Sequence, residues 1–143
     1  MGLSASGAYW SQQSAFTSTP QVFSAPSAFA MAGIGPEDVD VLTLYDPFTI
    51  VTLMQIEDMG FCGKGEGGAF VSDGRLDFDR GVLPTNPHGG MLSHAYVLGI
   101  AHVVEVVRQL RGEAANQVVD AEVGVYGGYT GHLASTVVLR RAS

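Results

Sequence analysis

Reactive side chains in this 143-residue sequence concentrate in three short segments, 44–48, 86–96 and 125–131. In the first segment, Tyr45 directly follows a run of apolar residues. A phenol can donate or accept a proton when its surroundings adjust its pKa from about 10. A tyrosine at the edge of a core, with an ordinary hydrogen-bond partner, would have the same local sequence, so this position leaves both interpretations open.

The second segment combines two imidazoles, a phenol and a glycine turn, since His88, His94 and Tyr96 lie close to Gly89 and Gly90. Glycines ahead of a helix allow backbone amides to face an anion or a thioester oxygen. Two histidines without a third ligand at a recognised spacing are a weak metal signal. No metal site is therefore predicted.

The third segment contains Gly127 and Gly128, where missing side chains would let a ligand approach the backbone. A plain glycine-rich hairpin would have the same composition. Cys62 has no activating neighbour in the sequence and is interpreted as a structural thiol. The acidic run 73–79 lacks the residue order of a calcium-binding EF-hand loop and is interpreted as a solvated loop.

Strand and helix signals that alternate along the chain predict an α/β fold to position these segments. The apolar run 39–44 predicts a buried strand. Asp46 and Pro47 follow it as a helix N-cap and first turn, so a helix is expected from there to Gly60. The glycine-rich stretch 60–90 is too long for an ordinary connection, which favours a functional loop.

The remaining elements are a helix and two strands. Small and apolar residues predict a helix over 25–32 that ends at Gly33. Two β-rich runs, 118–126 and 133–140, predict neighbouring strands joined by 127–131.

A further helix is predicted from a recurring apolar spacing, and Gly112 would end it. We expect its apolar positions to form the face that packs on the sheet. These positions are Ile100, Val103, Val104, Val107 and Leu110.

Composition limits the classes of partner. Seven basic residues, scattered among fourteen acidic ones, give a formal charge of −7, which excludes nucleic acid as a main partner. With 46% hydrophobic and 15% charged residues, the chain suits one domain with a deep core or a large subunit interface. The single cysteine precludes an intrachain disulfide and, with no signal peptide or membrane-length apolar run, leads us to expect a cytoplasmic protein without a membrane partner.

Residues 1–24 differ from the rest because they are rich in Ser, Thr, Gln and Ala, with irregularly spaced aromatics. We interpret them as an N-terminal arm that docks on a partner or frays, or as the remnant of a preceding segment. Residues 25–143 are assigned to the single domain.

In this order the three segments resemble the C-terminal half of thiolases of the lipid-transfer or sterol-carrier type, over roughly residues 25–141. Thiolases have an Asn-Glu-Ala-Phe motif at a strand-to-helix turn. Here Phe48 matches that motif, and Tyr45 stands at the position of the Asn. The resemblance implies the fold of a thiolase-like C-terminal half, a mixed β-sheet covered by helices.

The other two thiolase motifs show a similar mixture of matches and replacements. Asn86, Gly89 and Gly90 align with Asn-x-x-Gly-Gly, and Tyr96 then stands where thiolases have a catalytic His. Gly127 and Gly128 align with Cys-x-Gly-Gly, in which Val125 replaces the Cys. Because a Claisen thiolase needs the His and Asn for an oxyanion and the Cys for proton transfer, thiolytic transfer is not expected. Cys62 does not align with the nucleophilic Cys of the first thiolase half.

The paired Tyr replacements resemble the thiolase-like aldolases of bacterial steroid side-chain degradation. That resemblance implies retro-aldol cleavage of a β-hydroxyacyl-CoA, with Tyr45 and Tyr96 as the catalytic pair. His88 and His94 are secondary candidates that polarise the thioester oxygen or tune a tyrosine. The substrate-binding backbone would come from the four motif glycines, Gly89, Gly90, Gly127 and Gly128.

The resemblance also implies partners. Coenzyme A enters as part of an acyl-CoA substrate and no separate cofactor is expected. A homodimer and an OB-fold domain of a partner hydratase subunit are expected, and the isolated chain should be oligomeric or sticky. Two alternatives remain open, a thiolase-type acyltransferase that uses Tyr in place of His and a scaffolding subunit without turnover.

Overall fold

Four strands form one mixed sheet in the computed structural model, which describes residues 1–5 and 15–142. β2 runs parallel to β3, whereas β1 and β3 run antiparallel to β4, and the order across the sheet is β1-β4-β3-β2. The predicted α/β class with a mixed sheet is confirmed. The strands are β1 (Gly2–Ala5), β2 (Val41–Leu44), β3 (Val123–Tyr129) and β4 (Leu133–Arg140).

Five α-helices accompany the sheet in the described residues, α1 (Gln21–Ala32), α2 (Thr49–Asp58), α3 (Gly67–Phe70), α4 (Gly90–Ser93) and α5 (Ile100–Arg111). A Cβ on Gly127 would meet Gln21 of α1, and a Cβ on Gly124 would meet Val106 of α5. These glycines are an odd number of residues apart on β3, so α1 and α5 lie on opposite faces of the sheet. No helix in the described ranges has the length and apolar character needed to cross a bilayer.

Element boundaries differ from expectation where local signals were weak. α1 begins at Gln21, ahead of the predicted 25–32 helix and of the boundary drawn after residue 24. β3 runs through Gly127 and Gly128, which pair with Thr136 and Ser135, so these glycines belong to a strand and not to a connection. Two aromatic residues of the predicted arm, Tyr9 and Trp10, lie outside the described residues.

The free edge of β2 is occupied by chain 84–86. Leu42 N donates to Pro84 O at 2.9 Å, and Asn86 N donates to Leu42 O at 2.9 Å. The Asn86 side chain then continues the pairing, because its Oδ1 accepts from Leu44 N at 2.8 Å and its Nδ2 donates to Leu44 O at 3.0 Å. Asn86 therefore fixes the start of segment 86–96 against the end of β2.

Of the five positions predicted to form the buried face of α5, only Leu110 is buried, so the prediction was wrong for the other four. Ile100 and Val104 are 63% and 48% exposed, and Val103 and Val107 are only half-buried. The residues that α5 buries are mostly polar: His102, Glu105, Val106, Gln109 and Leu110.

Most buried polar atoms of α5 have partners, whereas Nδ1 of His102 has none among the described residues. Gln109 Nε2 donates to Glu105 Oε1 at 2.7 Å and to Asn116 O at 2.8 Å, and Gln109 Oε1 accepts from Val118 N at 2.8 Å. Buried polar groups are usually paired in this way, whereas unpaired ones cost free energy. Exposed apolar residues at the start of α5 and just before it form a surface here called the α5 ridge: Tyr96, Val97, Leu98, Ile100 and Val104.

We expect Asn86→Ala to lower the free energy of unfolding by about 2–4 kcal/mol, since it leaves two backbone groups of Leu44 without partners. Urea denaturation followed by circular dichroism measures this loss. Asn116→Ala is the control, because its side chain donates a single hydrogen bond, to Pro87 O. Equal losses in the two variants would contradict the role of Asn86 as a substitute strand partner.

We expect the isolated chain to self-associate through the α5 ridge, because contiguous exposed apolar surface promotes association. Ile100→Glu should shift light-scattering masses toward the monomer across a concentration series. Val119→Glu adds the same charge at another exposed valine, 82% exposed, and should leave the mass unchanged. A wild-type chain that is monomeric at every concentration would contradict the prediction.

Candidate active site

Tyr45 lies at the carboxyl end of β2, and its backbone is held from two sides. Its N–H donates to Gly127 O at 2.8 Å, and its carbonyl accepts from Gln55 Nε2 at 2.8 Å. Gln55 Oε1 accepts in turn from Gln21 Nε2 at 2.9 Å, and both glutamines are fully buried. A network of buried amides from α1 and α2 therefore positions the phenol, because such satisfied networks are rigid.

The phenol of Tyr96 lies close enough to that of Tyr45 to affect its ionisation. Burial, followed by a hydrogen bond with Tyr96, raises the pKa of Tyr45 to about 12, and the nearby Tyr126 and Asp46 contribute in the same direction. Tyr45 is therefore protonated at neutral pH. Tyr96 is 71% exposed, so its ring reaches from Tyr45 into the open space beside the sheet.

Asp46 has a different role from the predicted N-cap of α2, which begins at Thr49 with Phe48 as its N-cap. Its carboxylate accepts from Met91 N at 2.9 Å and from Leu92 N at 3.4 Å, and His102 Nε2 donates to Asp46 Oδ1 at 2.9 Å. Burial alone would raise the pKa of Asp46, but the hydrogen bonds from His102 and Met91 outweigh it and lower that pKa.

His88 packs against two other imidazoles. Its ring centroid lies 4.9 Å from that of His102 and 5.9 Å from that of His94. Burial, and then the neighbouring imidazoles, lower the pKa of His88 to about 4, so it is neutral at pH 7. Both of its ring nitrogens are buried without a hydrogen-bond partner among the described residues. His94 is exposed.

Metal and calcium sites find no support in the residues described. No group of three or more His, Cys, Asp or Glu side chains in residues 1–5 and 15–142 could hold a metal ion. In the acidic run, Asp77 instead pairs with Arg80 at 2.9 Å on the surface.

Two adjoining apolar cavities share Tyr45. One, of about 380 Å³, is lined by Tyr45, Pro47, Phe48 and Val51 among others. The other, of about 340 Å³, is lined by Tyr45 and includes Tyr126, Gly99 and Gly128. The phenol of Tyr45 thus stands where an apolar ligand in either cavity would meet a polar group.

The four predicted substrate-binding glycines separate into two groups. Gly128 lines the second apolar cavity, and Gly89 lines a third cavity of about 450 Å³ beside Asp46. Gly127 faces the core, since a Cβ there would meet Gln21, Leu44 and Met59, and a Cβ on Gly90 would overlap the Asp46 carboxylate. The structure therefore does not bring Gly127 or Gly90 to a cavity wall, because both make room for protein atoms.

Two further residues of the site, His102 and Tyr126, were not predicted from the sequence. Their rings are 6.0 Å apart, and the ring of Tyr45 is 6.2 Å from that of His102. Tyr126 requires Gly99, because a Cβ there would overlap its hydroxyl group. The available signal was the polar stripe of α5, in which His102, Glu105 and Gln109 recur with helical spacing between aliphatic residues.

Cys62 lies apart from the phenols, partly buried against the main core. Burial, and then the nearby Glu57 and Glu66, raise the pKa of its thiol. Such a thiol is a poor nucleophile at neutral pH. It lines neither of the two cavities that share Tyr45.

Comparison with known proteins identifies relatives of this chain. The chain is 44% identical over 111 residues to 17-hydroxy-3-oxo-4-pregnene-20-carboxyl-CoA lyase of Mycobacterium tuberculosis, which covers 78% of this chain and 28% of that protein. It is 44% identical over 89 residues to the steroid side-chain-cleaving aldolase of Thermomonospora curvata, covering 62% of this chain and 22% of that protein. The chain thus spans about a quarter of the length of these relatives.

A solved structure of the Ltp2-ChsH2(DUF35) aldolase matches 99% of this chain and 39% of that chain, with a TM-score of 0.86 at 31% identity. Acetyl-CoA acetyltransferase from Methanothermobacter thermautotrophicus is 44% identical over 108 residues, covering 73% of this chain and 28% of that protein. The family model for the thiolase C-terminal domain-like family matches residues 2–141. With that match over nearly its entire length, and with the fold and motif positions described above, the chain belongs to the thiolase C-terminal domain-like family.

Proposed function

We propose that this chain carries the phenol pair of a carbon-carbon lyase that cleaves a steroid side-chain β-hydroxyacyl-CoA by a retro-aldol reaction. The observation that carries the proposal is the closeness of the Tyr45 and Tyr96 phenols, at a point where Tyr45 borders two apolar cavities. The similarity to two steroid-cleaving enzymes at 44% identity supports the substrate class.

The protonation state of Tyr45 suggests how the two phenols divide the work. In the retro-aldol step the β-hydroxyl loses its proton, its oxygen becomes a ketone, and the Cα–Cβ bond breaks to leave a thioester enolate. The enolate then takes up a proton at carbon. Because Tyr45 stays protonated at neutral pH, we assign it the acid that protonates the enolate.

Tyr96 is then assigned as the base: it begins the cycle as phenolate, and its oxygen accepts the hydroxyl proton. Its exposed ring can reach a ligand, and its hydrogen bond with Tyr45 provides a direct path for the proton. Tyr96 then passes the proton that it has accepted to Tyr45, where it replaces the proton that Tyr45 gave to the enolate. The pair therefore returns to its starting state, and the reaction needs no further proton source and no separate cofactor.

The histidines of the loop take secondary roles. His94 is exposed and can donate to the thioester oxygen of an acyl-CoA. His88 has buried ring nitrogens and touches His94 and His102, so it acts on the site by orienting their rings. The apolar cavity beside Pro47 and Phe48 suits the hydrocarbon part of the substrate.

The two alternatives are less well supported by the geometry. A thiolase-type acyltransferase needs a nucleophile that accepts the acyl group and would have to take it from outside this chain, because Cys62 lies apart from the phenols with a raised pKa. A scaffolding subunit without turnover would not need two phenols in hydrogen-bond contact.

The proposed assembly is larger than this chain. The chain spans about a quarter of its steroid-cleaving relatives, so the remaining part of the fold is expected to complete the cleft. A homodimer and the OB-fold domain of a partner hydratase subunit are proposed as further components, and the similar aldolase, Ltp2-ChsH2(DUF35), is named for two components. The cytoplasm is the proposed location.

Tyr45→Phe and Tyr96→Phe, made in the assembly that completes the fold, should each lower turnover by about 10²–10⁴-fold, because each removes one hydroxyl and retains the ring. The assay incubates a β-hydroxyacyl-CoA and detects the ketone and the shortened acyl-CoA. Cys62→Ala is the control and should retain turnover. An inactive Cys62 variant beside two active Phe variants would show that the chemistry is thiol-based.

The pH dependence of turnover tests the assignment of Tyr45 as the acid. With a pKa of about 12, the phenol remains protonated from pH 7 to 10, so Tyr45 should cause no change in kcat/KM over that range. We expect the profiles of wild type and Tyr45→Phe to be parallel there. A rise in the wild-type profile that Tyr45→Phe removes would instead identify Tyr45 as a base that works as phenolate.

A further inference from the structure

Two buried residues of the site have no part in the proposed chemistry, Asp46 and His102. We propose that they are positioning residues, a hydrogen-bonded pair that fixes the two phenols relative to each other and to the loop that carries His88 and His94. The identity of the phenols as reacting groups rests on the proposed function. The placement of the phenols by this pair can be tested without turnover.

The pair joins three elements of the site: the end of β2, the loop with α4, and α5. Asp46 follows Tyr45 at the end of β2, and its carboxylate holds Met91 and Leu92 in α4 through their backbone amides. His102 belongs to the first turn of α5, which begins four residues after Tyr96. One carboxylate therefore holds the strand end, the loop and the helix together.

His102 is out of reach of a ligand, and the carboxylate of Asp46, although it borders the third cavity, is occupied by protein partners. His102 is fully buried and Asp46 is 3% exposed. The carboxylate of Asp46 already accepts three hydrogen bonds, so it has little remaining capacity for a substrate hydroxyl. An effect on the reaction would therefore have to pass through the residues that the pair holds.

The ring of His102 packs beside Tyr45, which the proposed chemistry uses, and beside Tyr126 and His88. Its centroid is 6.2 Å from that of Tyr45, 6.0 Å from that of Tyr126 and 4.9 Å from that of His88. With Nε2 committed to Asp46, the plane of the imidazole is fixed, and the aromatic rings packed around it are fixed with it.

Stability alone does not account for such a pair. Burying a carboxylate costs desolvation free energy that offsets much of what its hydrogen bonds contribute, so such a pair is weak evidence for stability. The chain also excludes a side chain at Gly90, where a Cβ would overlap the carboxylate and φ is +61°. A requirement that the carboxylate occupy this position in the site explains both the buried pair and the glycine at position 90.

The first test is an NMR comparison of the full 143-residue chain with ¹³Cζ-labelled tyrosine. Asp46→Asn retains the shape of the side chain but turns one acceptor into a donor, so one of its three donors loses its partner. We expect the resonances of Tyr45 and Tyr96 to move. Asp58→Asn is the matched control, since Asp58 is also buried and accepts from Thr19 N and Ser18 Oγ. It should leave both resonances in place.

His102 gives a second comparison in case Asp46→Asn does not fold. His102→Gln retains an N–H near the position of Nε2, whereas His102→Leu has none. The Gln variant should have Tyr45 and Tyr96 resonances closer to the wild type than the Leu variant has. Unchanged tyrosine resonances in folded Asp46→Asn, or equal shifts in the two His102 variants, would overturn the proposal.

The second test measures kinetic coupling in the completed assembly. Asp46→Asn should lower kcat by about 10- to 100-fold with a much smaller change in KM, because misplaced groups slow the chemical step. In a Tyr45→Phe background the same substitution should have little further effect. A full additive loss there would overturn a role that acts through Tyr45. If the wild type has no lyase turnover, the proposed function fails while the NMR result still decides the positioning role.

Discussion

The free edge of β2 imposes the constraint on which the site depends. An edge strand presents backbone groups that must find partners when they are buried, and Leu42 and Leu44 are both fully buried. Segment 84–86 satisfies them, with the Asn86 side chain in place of another strand. The chain continues from Asn86 through the loop that contains His88 to Tyr96. The hydrogen bonds at this edge of the sheet therefore also help to bring Tyr96 close to Tyr45.

The orientation of α5 follows from the same requirement that buried polar groups be paired. Its inner face holds His102, Glu105 and Gln109, each of which has a partner in the protein, and its outer face leaves aliphatic residues uncovered. The outer face is mainly aliphatic because these polar side chains of the helix lie inside. The phenol of Tyr96 lies at one end of this face, so any neighbour there would also border the site.

Features that depend on neighbouring residues could be predicted from the sequence. Features that depend on contacts with residues far away in the chain could not. The strand before Tyr45 and the thiolase-like fold could be predicted from residue order and from the family motifs, whereas the catalytic roles of Tyr45 and Tyr96 remain predictions. The function of Asp46 could not be predicted, because an Asp-Pro pair is a typical helix start and nothing local indicates that its acceptors serve Met91 and His102. Apolar periodicity likewise misplaced the buried face of α5, since it ignores whether polar residues have partners.

The contact of Gly99 with the Tyr126 hydroxyl has a consequence for how this family diverges. The two positions lie on different elements and far apart in sequence, yet any side chain at 99 would occupy the space of that hydroxyl. Substitution histories at 99 and 126 should therefore be correlated, with larger residues at 99 found only where 126 has lost its phenol. Covariation between positions 99 and 126 would then separate two groups of relatives. One group would retain glycine at 99 and the third tyrosine at 126, and the other would have a larger residue at 99 and no tyrosine at 126.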